Sequence, residues 1–552
     1  MNFLERIFER LDKSGGATVV QEIRGQQLVA ASGKELLSLV ATVRGFLTAM
    51  GLRKGDRCAL LGSNSIRWVA ANLALVANGV IVVPLYVRQA PAELAMMVRD
   101  SGTSRILCEN QELCDALRNT DRDVPPISLF DDVFARDGSI GYISSNFSSS
   151  DPVAIIYTSG TSGEPKGVVL NIGNVDHMLS CTTASLDKLM GGAQSAPDQV
   201  FHWTPLNFAA SWISLLSYLS RNSVASLSTD LTKLADEMRI AAPNYSLNVP
   251  TLLERVRAKI EGQVRERGGW IAATFSKAKR AYLRRETNDA SFGDGICLAI
   301  ANALIFPTIR KGVGPRLKAL ICGSAPLSIE TQKFFMMLGI PVLQAYGLTE
   351  TTAICTLDDP GFIEPGYVGR AIPGIEMKIG ENQEILVRGP NIFSGYWNRP
   401  QETAAVLRHG WFHTGDQGEV NSRGNWKITG RIKNLIILNS GHNIAPEPIE
   451  EGLAALLPQA AQIVLVGNGR SYLAAIITTE TNSALTETDI SAAVDKVNLR
   501  LPHYKQLRAF HLERQPFTIE SGLLTAMGKL KRDAIAARMS RQIDELYRKR
   551  VA

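Results

Sequence analysis

The sequence predicts an α/β chain of two domains, and three observations carry that expectation. Its 552 residues exceed what one ordinary hydrophobic core supports. Short apolar runs alternate with helical patterns through the first third, the order of a mostly parallel sheet covered on both faces. Near Arg431 the pattern changes, and turn-rich segments give way to a smaller mixed region.

The elements follow in order. The opening MNFLERIFERLDK alternates acid and base and lacks the apolar centre of a secretion signal. Arg57–Leu61 reads as a buried strand. Residues 64–78 set Ile66, Val69, Ala70, Leu73 and Val76 at helical spacing, and Gly79 ends that helix. A strand at 80–85, a helix at 90–100 and a strand at Arg105–Cys108 continue the alternation. Residues 153–157 form another buried strand that runs straight into the loop YTSGTSGEPKG at 157–167. Residues 251–311 read as an inserted set of basic helices with a break at 287–295. Turns at Gly389-Pro390, Asn398-Arg399-Pro400 and Ser422-Arg423-Gly424 lead to a boundary at 431–434. Beyond it come a helix at 446–457, strands at 462–466 and 473–478, and helices to the end. The expected domains are therefore 1–431, a large layered core, and 434–552, a small α+β unit.

Composition narrows the function classes. Apolar residues make up 45% and charged residues 20%, the balance of a folded globular protein. No run reaches the ~20 apolar residues that span a bilayer; the longest, at 296–306, is broken by Asn302. Seven cysteines without metal-like spacing point to reduced thiols and a cytoplasmic setting. A net charge of +6 is mild for this length and does not mark a nucleic-acid binder. Its placement is uneven: residues 251–286 carry ten Lys or Arg against four Glu, an excess equal to that of the whole chain.

Ligands of parallel sheets sit beyond the carboxyl ends of the strands, which makes the 157–167 loop the first candidate site. Its three glycines let the backbone wrap a bulky anion, its hydroxyls can donate to phosphate oxygens, and Lys166 adds charge. The spacing is not that of a Walker loop. Composition alone leaves a flexible polar surface loop as the alternative.

The string is more specific than its composition. It resembles the phosphate loop of the adenylate-forming superfamily, which comprises acyl-CoA synthetases, luciferases and peptide-synthetase adenylation domains. Further matches come in the family's order. Gly323-Ser324-Ala325-Pro326-Leu327 resembles its adenine-binding turn, and Tyr346-Gly347-Leu348-Thr349-Glu350 its YGxTE motif. Thr414-Gly415-Asp416 and Gly430-Arg431-Ile432-Lys433 resemble its ribose-binding and hinge elements, and Gly528-Lys529, after Thr525, its catalytic-lysine motif.

The resemblance implies an enzyme that joins a carboxylic acid to AMP and then hands the acyl group to a thiol. Lys529, Thr349 and Glu350 are the implied catalytic residues. Thr158, Ser159, Gly160, Thr161, Ser162, Gly163 and Lys166 would hold ATP phosphates; Gly323, Ser324, Ala325, Pro326, Tyr346, Gly347, Asp416 and Arg431 would hold its nucleoside. Lys433 is the implied hinge of a mobile small domain, and the loop around Gly441 would replace Lys529 in the second step. Thr158 and Glu350 are the implied Mg²⁺ ligands, and CoA the implied acceptor. Each residue has an ordinary alternative, since Asp416 could cap a turn and Glu350 or Lys529 could be a solvated charge.

For the acid, Asn248-Val249-Pro250, the basic insertion, Gly441–Glu447, Leu501–Lys505 and Leu523-Leu524-Thr525 resemble the long-chain fatty acyl-CoA synthetase branch. Basic, partly apolar helices also suit an anionic membrane surface, with a solvated helix pair as the alternative. Two positions depart from the family. Phe208 stands where Leu-Pro-Leu-x-His has histidine, and Asn171-Ile172 stands for Thr-His; both are read as substrate-side changes. Other readings are a fatty acyl-AMP ligase loading a carrier protein, a β-lactone synthetase, and an aryl- or amino-acid-activating enzyme. A catalytically silent relative is opposed by the retention of Lys166, Glu350, Asp416, Arg431 and Lys529.

Overall fold

The computed structural model describes residues 1–135, 147–159, 165–192, 196–286, 289, 291–481, 483–525 and 528–548. Two large sheets organise the first part. In one, seven strands run in the order Gly395–Tyr396, Pro165–Asn171, Pro152–Ser159, Ile81–Leu85, Arg57–Leu61, Arg105–Cys108 and Ile127–Leu129. The strands from Pro152–Ser159 to Ile127–Leu129 are parallel, as the unbroken apolar runs predict. The Pro165–Asn171 strand returns antiparallel beside Pro152–Ser159, the two forming a hairpin.

The second sheet has nine strands, with parallel pairing through Ser223–Ser228, Asp198–His202, Tyr245–Asn248, Ala319–Cys322 and Val342–Tyr346. One edge is the N-terminal hairpin of Thr18–Arg24 and Gln27–Ser32. Its partner Ser223–Ser228 lies some two hundred residues away, so no local pattern in the sequence announces the pairing.

Between the sheets lies the helix Ile66–Ala77, in which every residue but Arg67 is buried. A helix apolar on all sides is stable only when covered on all sides. Ser65 caps it by accepting from Trp68 N at 3.1 Å, and Gly79, at φ 72°, ends it. Across the interface Trp212 Nε1 donates to Asn72 Oδ1 at 2.9 Å, which satisfies two polar groups that burial would otherwise penalise.

The insertion folds as four helices, Pro250–Arg267, Gly269–Glu286, Phe292–Leu304 and Phe306–Val313, around their own core of Phe275, Leu298, Phe306, Phe334 and Phe335. The break is shorter than the expected 287–295: Ser291 caps the third helix through Gly293 N, and Asp294 closes the capping box. Among the described residues no single helix is long and apolar enough to cross a membrane; Phe292–Leu304 and Phe306–Val313 pass that test only together, bent by 50°.

A third sheet, containing Glu384–Arg388, Trp411–Val420 and Trp426–Arg431, leads to the turn Ile432–Asn434. After it the chain builds separate sheets, Ile436–Ile437 with Asn443–Ile444 and a three-stranded one of Ala460–Val466, Leu473–Thr479 and Leu507–Glu513. These share a separate core of Ile436, Ile444, Leu453, Leu465, Ile477 and Val494. The expected change of character at 431–434 thus coincides with a change of sheet and of hydrophobic cluster.

Candidate active site

A cavity of about 1080 Å³ opens where both parts meet, and each of the six motifs expected to bind the nucleotide or act on it contributes to its walls. Thr158 and Lys166 flank it from the hairpin, Gly323 and Ser324 from a sheet end, Gly347, Thr349 and Glu350 from the next. Asp416, Arg431, Lys433 and, from beyond the turn, Lys529 complete it. Ser159 is placed by its backbone, paired with Pro165; Gly160, Thr161, Ser162 and Gly163 lie outside the described residues. Ala325 and Pro326 are exposed and do not line the cavity.

Local geometry explains several motif residues. At Gly347 a Cβ would overlap the Ala353 carbonyl and Ile354 Cα, so only glycine fits. Ser324 holds φ 75°, a left-handed conformation uncommon for a residue with a Cβ and typical of functional turns. Beside Lys529, Gly528, at φ 74°, donates to Thr525 O at 2.8 Å, and Lys529 N donates to Thr525 Oγ1 at 3.1 Å. Thr525 therefore acts as the clasp that presents the lysine.

Asp416 and Arg431 face each other across two antiparallel strands. Arg431 Nε lies 2.6 Å from Asp416 Oδ1, and Tyr346 donates its phenol to Asp416 Oδ2 at 2.8 Å. Burial pushes the Tyr346 phenol well above its ordinary range, and Asp416 adds to the shift. Burial would lower Arg431, but Asp416, Tyr346 and Glu350 together outweigh it and hold the guanidinium above its usual value. Tyr346, expected to hold the nucleoside, is buried and is not among the residues lining the cavity; its phenol takes the Asp416 acceptor. A carboxylate offers about four lone-pair sites, so Asp416 can still accept from ribose hydroxyls.

Glu350 is buried, and burial raises its pKa; its own backbone and Tyr396, donating at 2.8 Å, oppose that rise. Lys166 pairs with Glu402 and stands 5.3 Å from the Tyr396 ring centroid. Tyr396 and Glu402 thus join the site although neither belongs to a recognisable motif. Tyr396 reaches it through the edge strand Gly395–Tyr396, which pairs with Val169 and Val168. Nothing in the local sequence marks that pairing.

Lys529 is solvent-accessible where it lines the cavity, with Arg431, Asp416, Lys433 and Glu350 as its charged neighbours. Loss of hydration, then the Arg431 cation, pushes its pKa down to about 8, against the pull of Asp416 and Glu350. Lys433 is lowered in the same way, first by burial and then by Arg431. Lys166, Lys378, Arg408, Arg431, Lys433 and Lys529 line the cavity against the carboxylates Glu350, Glu381, Glu384 and Asp416, a cationic excess suited to a polyanionic ligand. Among the described residues no three His, Cys, Asp or Glu groups cluster as metal ligands. Glu350 and Thr158 can hold a hard divalent ion only if ligand phosphates share it, and Mg²⁺ is commonly bound that way.

The rest of the cavity is mainly apolar and runs between two helices. Thr182, Ser185, Leu186 and Leu189 face it from Ile172–Met190, and Ala210, Ile213, Ser214 and Ser217 from Ala209–Ser220. Both sets have i, i+3, i+4, i+7 spacing, one face over two turns. Thr182 Oγ1 and Ser217 Oγ, 2.8 Å apart, tie the helices together. Phe208, just before the second helix, lines the same space.

Comparison with known proteins gives a consistent set. The family described as AMP-binding enzyme matches residues 8–397, and AMP-binding enzyme C-terminal domain matches residues 433–551. The long-chain-fatty-acid–CoA ligase FadD15 of Mycobacterium bovis is 27% identical over 91% of this chain and 90% of its own. A chloroplastic long-chain-fatty-acid–acyl-carrier-protein ligase of Arabidopsis thaliana is 26% identical, covering 91% and 80%. Among solved structures, ATP-bound MatB from Rhodopseudomonas palustris superposes with a TM-score of 0.74 at 23% identity, covering 98% of this chain and 99% of its own.

Proposed function

Because this chain belongs to the AMP-binding enzyme family, we propose that it activates a long-chain fatty acid with ATP and transfers the acyl group to CoA. The observation that carries the reading is the convergence of Lys529, from the second part of the chain, on the cavity that holds Thr158, Thr349, Glu350, Asp416 and Arg431. Full-length likeness to fatty-acid–CoA ligases supports the substrate class, and so does the apolar groove between the two helices.

In the first step a carboxylate oxygen attacks the α-phosphorus of ATP. The bond to the bridging oxygen breaks, pyrophosphate leaves, and an acyl adenylate forms. Two anions must approach each other, so cations placed between them lower the barrier. Lys529 and Arg431 would supply that charge, Lys166 would hold the outer phosphates, and Thr349 would donate to the α-phosphate. Asp416 would accept from the ribose hydroxyls, beside the adenine turn at Gly323 and Ser324. Glu350 and Thr158 would hold Mg²⁺, which when bound neutralises part of the triphosphate charge. In the second step a CoA thiolate attacks the activated carbonyl and AMP leaves with the electron pair. The units 1–431 and 434–552 would turn about Lys433 between steps, bringing the loop around Gly441 to the cavity.

A carrier-protein thiol is the second acceptor, on the strength of the Arabidopsis relative alone. A reducing cytoplasm suits the seven free cysteines, and the basic excess of the insertion supports peripheral contact with an anionic membrane. Pyrophosphate exchange into ATP over fatty, aryl, amino and 3-hydroxy acids tests the first step; the expected outcome is exchange with long-chain fatty acids. Exchange with none would refute adenylation. Adding CoA or a phosphopantetheinylated carrier protein in parallel then identifies the acceptor.

A further inference from the structure

The helix Phe292–Leu304 turns a side without charge to solvent. Phe292 is 91% exposed, Ile296 52%, Ile300 44% and Leu304 61%, and their four-residue spacing keeps them on one side. Gly295, Ala299 and Ala303 fill the gaps, and Asn302 is the sole polar side chain on that side. The helix's one acid, Asp294, points inward to Arg284. Its opposite side, Leu298 and Ala301, packs into the core of the insertion. A helix whose outer side met only water would carry polar residues there; a contiguous apolar side rimmed by polar groups marks an interaction surface.

The rim is mostly cationic: Lys277, Arg280 and Arg285 are exposed on the preceding helix and Lys311 on the following one, against the acids Glu286 and Asp289. On the preceding helix Trp270, 59% exposed, and Leu283, 40% exposed, are further exposed apolar side chains. Length excludes a span: 13 residues rise about 20 Å, less than the ~30 Å hydrocarbon core, and the chain then bends by 50°.

We propose that this surface docks on a membrane, with the helix Phe292–Leu304 lying in the plane of an anionic bilayer. Phe292, Ile296, Ile300 and Leu304 enter the acyl region, and the lysines and arginines around them meet lipid phosphates. The contact is thus made by apolar side chains, with the basic charge of the insertion as its rim. A second copy of the chain suits the surface less well, because a two-fold interface brings each subunit's patch against its equivalent and would set cationic rims together.

The test is co-sedimentation of the full-length chain with vesicles of phosphatidylglycerol and phosphatidylcholine in equal parts, against phosphatidylcholine alone. The wild type should pellet with the anionic vesicles. The variant Ile296→Ser/Ile300→Ser/Leu304→Ser should lose at least about thirtyfold in partition coefficient. Lys277→Glu/Arg280→Glu should weaken binding and reduce its salt dependence. Pyrophosphate exchange with a short, water-soluble acid, expected to be unchanged in all variants, reports folding. Vesicle binding needs no substrate, so its outcome is independent of the adenylation reading. A wild type that stays in the supernatant, or a serine variant that pellets like the wild type, would overturn the proposal. So would a wild-type dimer that the serine substitutions turn into a monomer.

Discussion

Lys529 shows how a single residue acquires its properties from its surroundings. A free lysine titrates near 10.4, whereas burial and the neighbouring Arg431 bring this one to about 8. The charged form is therefore lost as pH rises through about 8. If the ammonium is what adenylation needs, kcat/KM for pyrophosphate exchange should fall along a limb near that pH, since this ratio reports the free enzyme. Lys529→Arg keeps the charge and should remove the limb from the accessible range, at lower rate; Lys529→Ala should abolish exchange while ATP binding persists. A limb unchanged in Lys529→Arg would assign the titration elsewhere. The clasp residue Thr525 and the motif glycines were legible in the sequence because their geometry is local. Tyr396 and Glu402 were not, because their roles come from side chains remote in sequence.

At the scale of elements, the two helices that border the acid groove were only partly foreseeable. The family resemblance implied a substrate-side change at Phe208, but which helix face meets the cavity depends on how both helices pack. Ser214 lies half-buried on that face and donates to Ala210 O at 2.6 Å. Ser214→Phe should fill part of the groove and lower kcat/KM for hexadecanoate by about tenfold or more, with octanoate little affected. Equal losses for both acids would place the acyl chain elsewhere. A second element-level feature is Asp358, after the short strand Thr356–Leu357, 3% exposed and accepting from Gln344 N at 2.8 Å. Burial, with Asp359 and Glu364 adding to it, pushes its carboxyl up to about 7. A folded pKa above the unfolded value means that the contribution to stability is complete below about pH 4 and lost as pH rises through about 7. Asp358→Asn should therefore gain thermal stability over the wild type between about pH 5 and 8, on the order of 3 kcal/mol at the top of that range. Parallel melting curves across that range would contradict this.

At the scale of the whole molecule, strong and weak ion pairs are distributed unequally. Within the second part, Arg532 reaches Glu450 with both terminal nitrogens, at 2.8 and 2.5 Å, in a largely buried pair. Between the two parts, Lys531 meets Glu93 at 3.3 Å with both side chains about one-third exposed, a pair worth about 0–1 kcal/mol. Of these two ion pairs, the one inside the second part is the stronger. Lys433 lies in the single helical turn between the two parts, a first-turn position where proline is tolerated. Lys433→Pro should keep pyrophosphate exchange within a few-fold and lower acyl-CoA formation on the order of a hundredfold, by fixing the turn in its present form. Undiminished acyl-CoA formation would remove Lys433 as the hinge.

The sequence by itself determined the alternation of strand and helix, the change of character at 431–434, the phosphate loop and the order of the motifs. Each of these is written in contiguous residues, where backbone preference and periodicity act over one or two turns. The tertiary structure alone decided that Tyr346 donates to Asp416, that Tyr396 donates to Glu350, and that Thr18–Arg24 joins the second sheet beside Ser223–Ser228. It also decided that the apolar residues of Phe292–Leu304 face solvent and not the core. Hydrophobic spacing says which side of a helix is apolar; only packing decides what that side is given to touch.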